Sequence, residues 1–168
     1  EDKQGVIWIG GHGGCYRLNE ITNQFEKYHD KIGLPKNLNT GFIAADEENN
    51  LWLATREGVK LYNQKEKKLY GKDFNPFHNP LFDIKEGVGM ILRNHDEICV
   101  TFNRVIYRYD FSTNILKAFT FDLLPSKKMA AKLQKEVVGG VYHLKDGTIV
   151  VSLPNRGLAF YHPETGNF

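Results

Sequence analysis

Short apolar runs alternate with polar, glycine- and asparagine-rich turns along the whole chain. In Asn50-Leu51-Trp52-Leu53-Ala54-Thr55-Arg56-Glu57-Gly58-Val59-Lys60-Leu61-Tyr62, apolar and β-branched residues flank a polar tip that ends in glycine, which predicts two strands and a tight turn. Val6 to Leu18 aligns with this stretch without a gap, placing Trp8 on Trp52 and Gly14 on Gly58. Further on, Ile98 to Phe102 and Thr148 to Leu153 take the place of the Trp-bearing strand, with Cys99 and Val150 where Trp52 stands. The four centres are 44, 47 and 51 residues apart.

Between these centres the pattern predicts strands over Gly5 to Gly10, Cys15 to Asn19 and Phe25 to His29. A second group covers Gly41 to Ala45, Leu51 to Thr55, Gly58 to Asn63 and Lys68 to Phe74. A third covers Val88 to Arg93, Ile98 to Phe102, Val105 to Asp110 and Ile115 to Phe121. The last covers Val137 to Leu144, Thr148 to Leu153 and Gly157 to His162. Lys145-Asp146-Gly147 is a hairpin signal, because Asp-Gly accepts positive φ at both central positions. Met129 to Lys135 has good helix propensity and predicts a short helix in the connection before the last group.

Units of this length, each with up to four short antiparallel strands, describe the blades of an all-β β-propeller. Residues 1–168 are read as one propeller segment, with blades at about 1–30, 41–74, 88–121 and 137–168. The first blade lacks an inner strand and the last an outer one. The expectation is a partial propeller of about four blades, part of a larger one, with sheet edges that favour association.

Asp2-Lys3-Gln4-Gly5-Val6-Ile7-Trp8-Ile9-Gly10-Gly11 and Asp46-Glu47-Glu48-Asn49-Asn50-Leu51-Trp52-Leu53-Ala54-Thr55 resemble the two-component regulator propeller repeat, D-x-x-G-x-[IL]-W-[IL]-[GA]-T. Ile32-Gly33-Leu34-Pro35-Lys36-Asn37 is similar to the G-L-P-x-N connection between that family's blades. The third and fourth units match in outline. The resemblance implies the periplasmic sensor region of a hybrid two-component histidine kinase from a glycan-degrading bacterium. In that family the propellers precede an immunoglobulin-like module, a membrane helix and a kinase. None of those parts lies within these residues, so any kinase activity would belong to a parent protein.

Composition narrows the function classes. Twenty-two basic against 20 acidic residues give a net charge of +2, without the concentrated basic face of a nucleic-acid binder. Cys15 and Cys99 occupy different places in the repeat and form neither a disulfide framework nor a zinc pattern; two buried thiols are expected. The histidines show no metal-ligand spacing. The glycines at 10, 11, 13 and 14 are followed by a strand and not a helix, so they are no phosphate cradle. No catalytic residues, metal or cofactor are expected. Trp8 and Trp52 are expected to pack between blades.

Propeller topology puts the turns between second and third strands on one face with the inter-blade connections. There Arg56, Arg104 and Arg156 recur at near-equivalent tips, beside Asn103 and Asn155, and His12 occupies the first. Arginine is a rigid donor fork for carboxylates, so these six are the candidate ligand-binding residues, suited to a polyhydroxylated or anionic ligand. The expected function is non-catalytic extracytoplasmic sensing of a glycan or related ligand. The expected partners are an oligosaccharide or other small ligand and a second copy or neighbouring propeller. No nucleic acid is expected, and the membrane only through downstream regions. A propeller lyase or hydrolase acting on polysaccharide, and a protein-interaction scaffold, are the alternatives.

Overall fold

The two Trp-bearing strands are each preceded by an aspartate that folds the chain back on itself. Asp46 Oδ1 accepts the backbone N–H groups of Glu48 and Asn50 at 3.0 and 2.8 Å, closing the turn before the Trp52 strand. Asp2 Oδ1 does the same for Gln4 and Val6 at 2.9 and 3.0 Å. In both, Oδ2 accepts the indole N–H of the tryptophan six residues on, Trp52 at 3.0 Å and Trp8 at 2.8 Å. A short-range aspartate turn thus also orients the large ring of the next strand.

The structure, a computed structural model, describes residues 1–36, 38–84, 90–93, 96–102, 105–120, 140–153, 157–162 and 165. These form four antiparallel sheets. Sheet 1 contains β1 (Trp8–Gly11), β2 (Gly14–Asn19) and β3 (Gln24–Lys27). Sheet 2 contains β4 (Thr40–Ala45), β5 (Leu51–Thr55), β6 (Gly58–Asn63) and β7 (Lys68–Tyr70). Sheet 3 contains β8 (Met90–Arg93), β9 (Glu97–Phe102), β10 (Val105–Asp110) and β11 (Ile115–Thr120). Sheet 4 contains β12 (Gly140–His143), β13 (Ile149–Leu153) and β14 (Gly157–Tyr161). Strands neighbouring in sequence are neighbours in each sheet.

Period-two alternation sends successive residues of a strand to opposite faces. In β5, Leu51 and Leu53 pack against Cys15, Ile32, Leu34 and Leu38 from the sheet 1 side, while Trp52 and Ala54 pack with Ile98, Val100 and Tyr109 of sheet 3. Sheet 3 continues the pattern: Cys99 and Ile106 join Val141, Ile149, Val151 and Tyr161 of sheet 4. The core is therefore three inter-sheet layers, and a strand such as β5 is buried throughout. Trp52 lies in the layer between sheets 2 and 3, with ring centroids 6.1 Å from Phe82 and 5.6 Å from Phe111. Trp8 meets Tyr28 of its own blade edge-on at 5.0 Å and packs against the layer that holds Leu51 and Leu53, so both tryptophans lie between sheets as expected.

Some boundaries differ from the sequence expectation. The first strand begins at Trp8 and not Gly5, because residues 2–6 are held in the Asp2 turn. The fourth strand of sheet 2 ends at Tyr70; Gly71 and Phe74 then pair with each other in a tight bridge. Two 3-10 turns, Asp30–Ile32 and Pro80–Asp83, occupy inter-sheet connections that the sequence reading leaves irregular. The second has an Asn79 side chain that accepts from Leu81 N–H and a proline at its start, both favourable for a helical turn. The helix expected over 129–135 lies outside the described residues.

Candidate functional site

The first two sheets meet where the β1–β2 turn, the β5–β6 turn and the start of β4 converge. Gly11, His12, Asn39, Thr40, Gly41, Thr55 and Arg56 line a cleft of about 290 Å³ there. The structure brings together two candidate residues from different repeats, His12 and Arg56. The other four, Asn103, Arg104, Asn155 and Arg156, lie outside the described residues.

Several local devices hold the cleft walls. Thr55 Oγ1 donates to the Gly58 carbonyl at 2.7 Å and accepts from Glu57 N–H at 3.2 Å, which fixes the turn that presents Arg56. Gly13 N–H donates to Asn39 Oδ1 at 3.0 Å, tying the β1–β2 turn to the strand entry across the cleft. Tyr16 donates to the His12 carbonyl at 3.1 Å. A Cβ on Gly10 would stand 2.5 Å from the Thr40 carbonyl, so glycine is what lets β1 approach β4 so closely. The pairing of β4 with β5 slips between Thr40 and Phe42, leaving Gly41 unpaired at the cleft. Irregularities of this kind re-aim neighbouring side chains and recur beside functional sites.

The cleft is rich in donors. Arg56 is exposed, and the adjacent acid, Glu57, is engaged by Lys60 Nζ at 3.3 Å. Thr40 is fully buried, and its hydroxyl has no hydrogen-bond partner. Among the described residues, no aspartate or glutamate lines the cleft. Thr40 was missed by the sequence reading, which places the second blade's first strand at Gly41; Asn39 ends the connection 31–39 that it puts on the ligand face, without being singled out. The signal of Thr40 is its position between the Gly-Leu-Pro connection and that strand.

Two larger clefts have different chemistry. One, of about 480 Å³, borders the β2–β3 hairpin and mixes Arg17 with Glu20 and Glu26. Another, of about 350 Å³, lies between sheets 2 and 3, where Asp46, Glu47 and Glu48 adjoin Phe77, Phe82 and Phe111. Its Asp46 is committed to the turn and to Trp52, and Trp52 and Phe82 are buried in the inter-sheet layer. Among the described residues, no group of three His, Cys, Asp or Glu side chains is placed to hold a metal ion.

No protein-family model matches the sequence, and no curated protein does. Solved structures do resemble the fold. The extracellular domain of BT4673 from B. thetaiotaomicron, described as a putative one-component and as a putative hybrid two-component system, matches 100% of this chain and 20% of its own at 21% identity and a TM-score of 0.73. The extracellular domain of the putative hybrid two-component system BT3049 from the same organism matches 97% of this chain and 21% of its own, at 18% identity and a TM-score of 0.66. The β-propeller domain of Myceliophteria_thermophila Cps50 (Swd1) matches 100% of this chain and 51% of its own, at 14% identity and a TM-score of 0.62. The chain thus spans about a fifth of the length of the two bacterial domains. The fold is all-β and of the propeller kind. Its bacterial neighbours are the type of protein that the Trp-bearing repeat resembles.

Proposed function

We propose that the chain is a four-blade arc of a larger propeller in the periplasmic sensor region of a two-component signalling protein, and that it recognises an oligosaccharide without catalysing a reaction. The observation that carries this is the agreement of repeat and fold. The Asp-to-Trp repeat resembles that of such sensors, and the whole chain superposes on part of an extracellular domain of that class. The open apolar faces of sheets 1 and 4 support the arc, since packed blades would cover them. No helix among the described residues is long and apolar enough to cross a membrane.

The cleft suits a sensor because its walls belong to two blades. A ligand shifts a conformational equilibrium only by its differential affinity for the two states. One that touches the β1–β2 and β5–β6 turns together binds tightest at one relative position of sheets 1 and 2. Calorimetric titration of the chain with neutral and acidic oligosaccharides tests the proposal. Binding that a His12→Ala, Arg56→Ala double variant abolishes is the expected result. No binding to any sugar, alongside capture by a stable protein partner, would favour a scaffold. Turnover of a polysaccharide would favour an enzyme.

A further inference from the structure

We infer that the cleft between the β1–β2 and β5–β6 turns holds an oxyanion, the carboxylate or sulfate group of an acidic sugar. The inference rests on the ligand-recognition proposal and specifies what the ligand must carry.

The described lining offers side-chain donors and no carboxylate. Among the described residues the Arg56 guanidinium has no ion-pair partner, and the carboxylate beside it is engaged by Lys60 at 3.3 Å. The Asn39 carboxamide uses its oxygen to accept from Gly13, which leaves the NH2 group as its uncommitted end. Thr40 lies in the cleft wall, and its hydroxyl, closed to solvent, has no hydrogen-bond partner. Buried hydroxyls in folded proteins are nearly always paired, and an unpaired one calls for an explanation such as a missing ligand or water. With no acid among the described lining residues, the group that completes this set is an acceptor, and opposite Arg56 it is a charged one. Arginine's planar fork matches the paired oxygens of a carboxylate or sulfate. A volume of about 290 Å³ is at the lower end of small-molecule sites, which suits one sugar unit and its anionic group.

The test is calorimetric titration of the full chain at low ionic strength with glucuronate, glucose 6-sulfate and glucose. Both anions should bind and glucose should not. Equal affinity for the two would mean that charge alone is read, whereas preference for glucuronate would mean that the planar fork is read; either supports the inference. Arg56→Gln should weaken the anions roughly tenfold, the scale of one charge-assisted hydrogen bond. Thr40→Val should also weaken them, yet raise the melting temperature of the free chain, because it removes an unpaired buried hydroxyl. A residue with a purely structural role would not combine those two effects. Glucose binding as tightly as glucuronate would overturn the inference, as would an Arg56→Gln variant with unchanged glucuronate affinity. If neutral sugars bind and Arg56→Gln abolishes this, the anion assignment fails while ligand recognition stands. If no sugar binds, charged or neutral, both fail.

Discussion

Asp46 and Asp2 each join a turn to a tryptophan, and at the scale of single residues this is the repeat's main bond. Asp46 Oδ2 accepts from the Trp52 indole, and the Asn50 amide is 3.2 Å from the same oxygen. Trp52→Phe keeps most of the ring but leaves a buried carboxylate oxygen short of a donor. It should cost about 1–3 kcal/mol in urea unfolding followed by circular dichroism. Trp8→Phe should cost less, because Trp8 is only half-buried. Equal losses would mean that burial does not scale this bond. Asp2 adds a pH signature. Burial opposes its ionisation, but hydrogen bonds from the Trp8 indole and from Val6 and Gln4 N–H outweigh it and hold its carboxyl below the ordinary 3.8. A depressed folded value stabilises fully above the ordinary value, and the contribution is lost as pH falls through the folded one. The stability gap between the native chain and Asp2→Asn should therefore be constant near neutrality and close below about pH 4; a gap independent of pH would refute this account. The thiols behave differently. Burial pushes both Cys15 and Cys99 up to about 12, in Cys99 aided by the Glu97 charge and opposed by Arg108. Neither should react with a thiol reagent until the chain unfolds, and prompt labelling of the native chain would contradict the burial.

At the scale of elements, the turn glycines control how closely each connection crosses its own sheet. Gly58 has φ of +101°, and a Cβ there would stand 2.5 Å from the Ile84 carbonyl. At the equivalent place, Gly14 has φ of +126° and lies against the buried His29 ring, whose Nε2 donates to the Pro35 carbonyl at 2.6 Å. Gly157 has φ of +89° but nothing within 4 Å of a built Cβ. Gly157→Ala should thus show the backbone cost alone, about 1 kcal/mol. Gly58→Ala adds a backbone collision and should lose roughly 3 kcal/mol or more. Similar urea midpoints for the two variants would show that the crossing can relax. Such glycines were legible in the sequence because they recur with the tryptophans, and the blades were legible because strands buried on both faces read as short apolar runs between polar turns. The Asp-to-Trp bond was not read, since it depends on how the turn brings positions six apart together. Thr40 escaped because the cleft forms between units, whereas repeats describe what happens within them. The candidate residues His12 and Arg56 were legible only as loop tips on one face; that they share a cleft follows from the inter-sheet packing, which no repeat encodes.

At the scale of the whole molecule, sheet 1 and sheet 4 each leave one face uncovered, and the two faces are opposite members of the same alternation. Ile7 and Ile9 hold the repeat positions of Leu51 and Leu53, which in sheet 2 are fully buried against the preceding sheet. In sheet 1 the same two positions are exposed, Ile9 at 40%. On sheet 4, Val150 holds the position of Trp52, the residue that faces the following sheet. Tyr142 and Phe160 pair beside it and stand exposed, as does Leu158, at 60%. The open face of sheet 4 is therefore of the type that, between sheets 2 and 3, packs on the type of face left open by sheet 1. Contacts between unlike faces are heterologous and propagate from copy to copy unless the ring closes. The isolated chain should accordingly associate head to tail, with a weight-average mass in sedimentation equilibrium that rises with concentration. Ile9→Lys and Leu158→Lys should each suppress this, because a charge placed on either face must be desolvated to form the contact. Mixing the two single variants separates this geometry from like-with-like pairing. One open face of each remains intact, so mixed head-to-tail pairs should form and stop at dimers. Pairing of like faces would instead leave the Ile9→Lys chains dimerising through sheet 4 on their own, and that result would reject the head-to-tail arrangement.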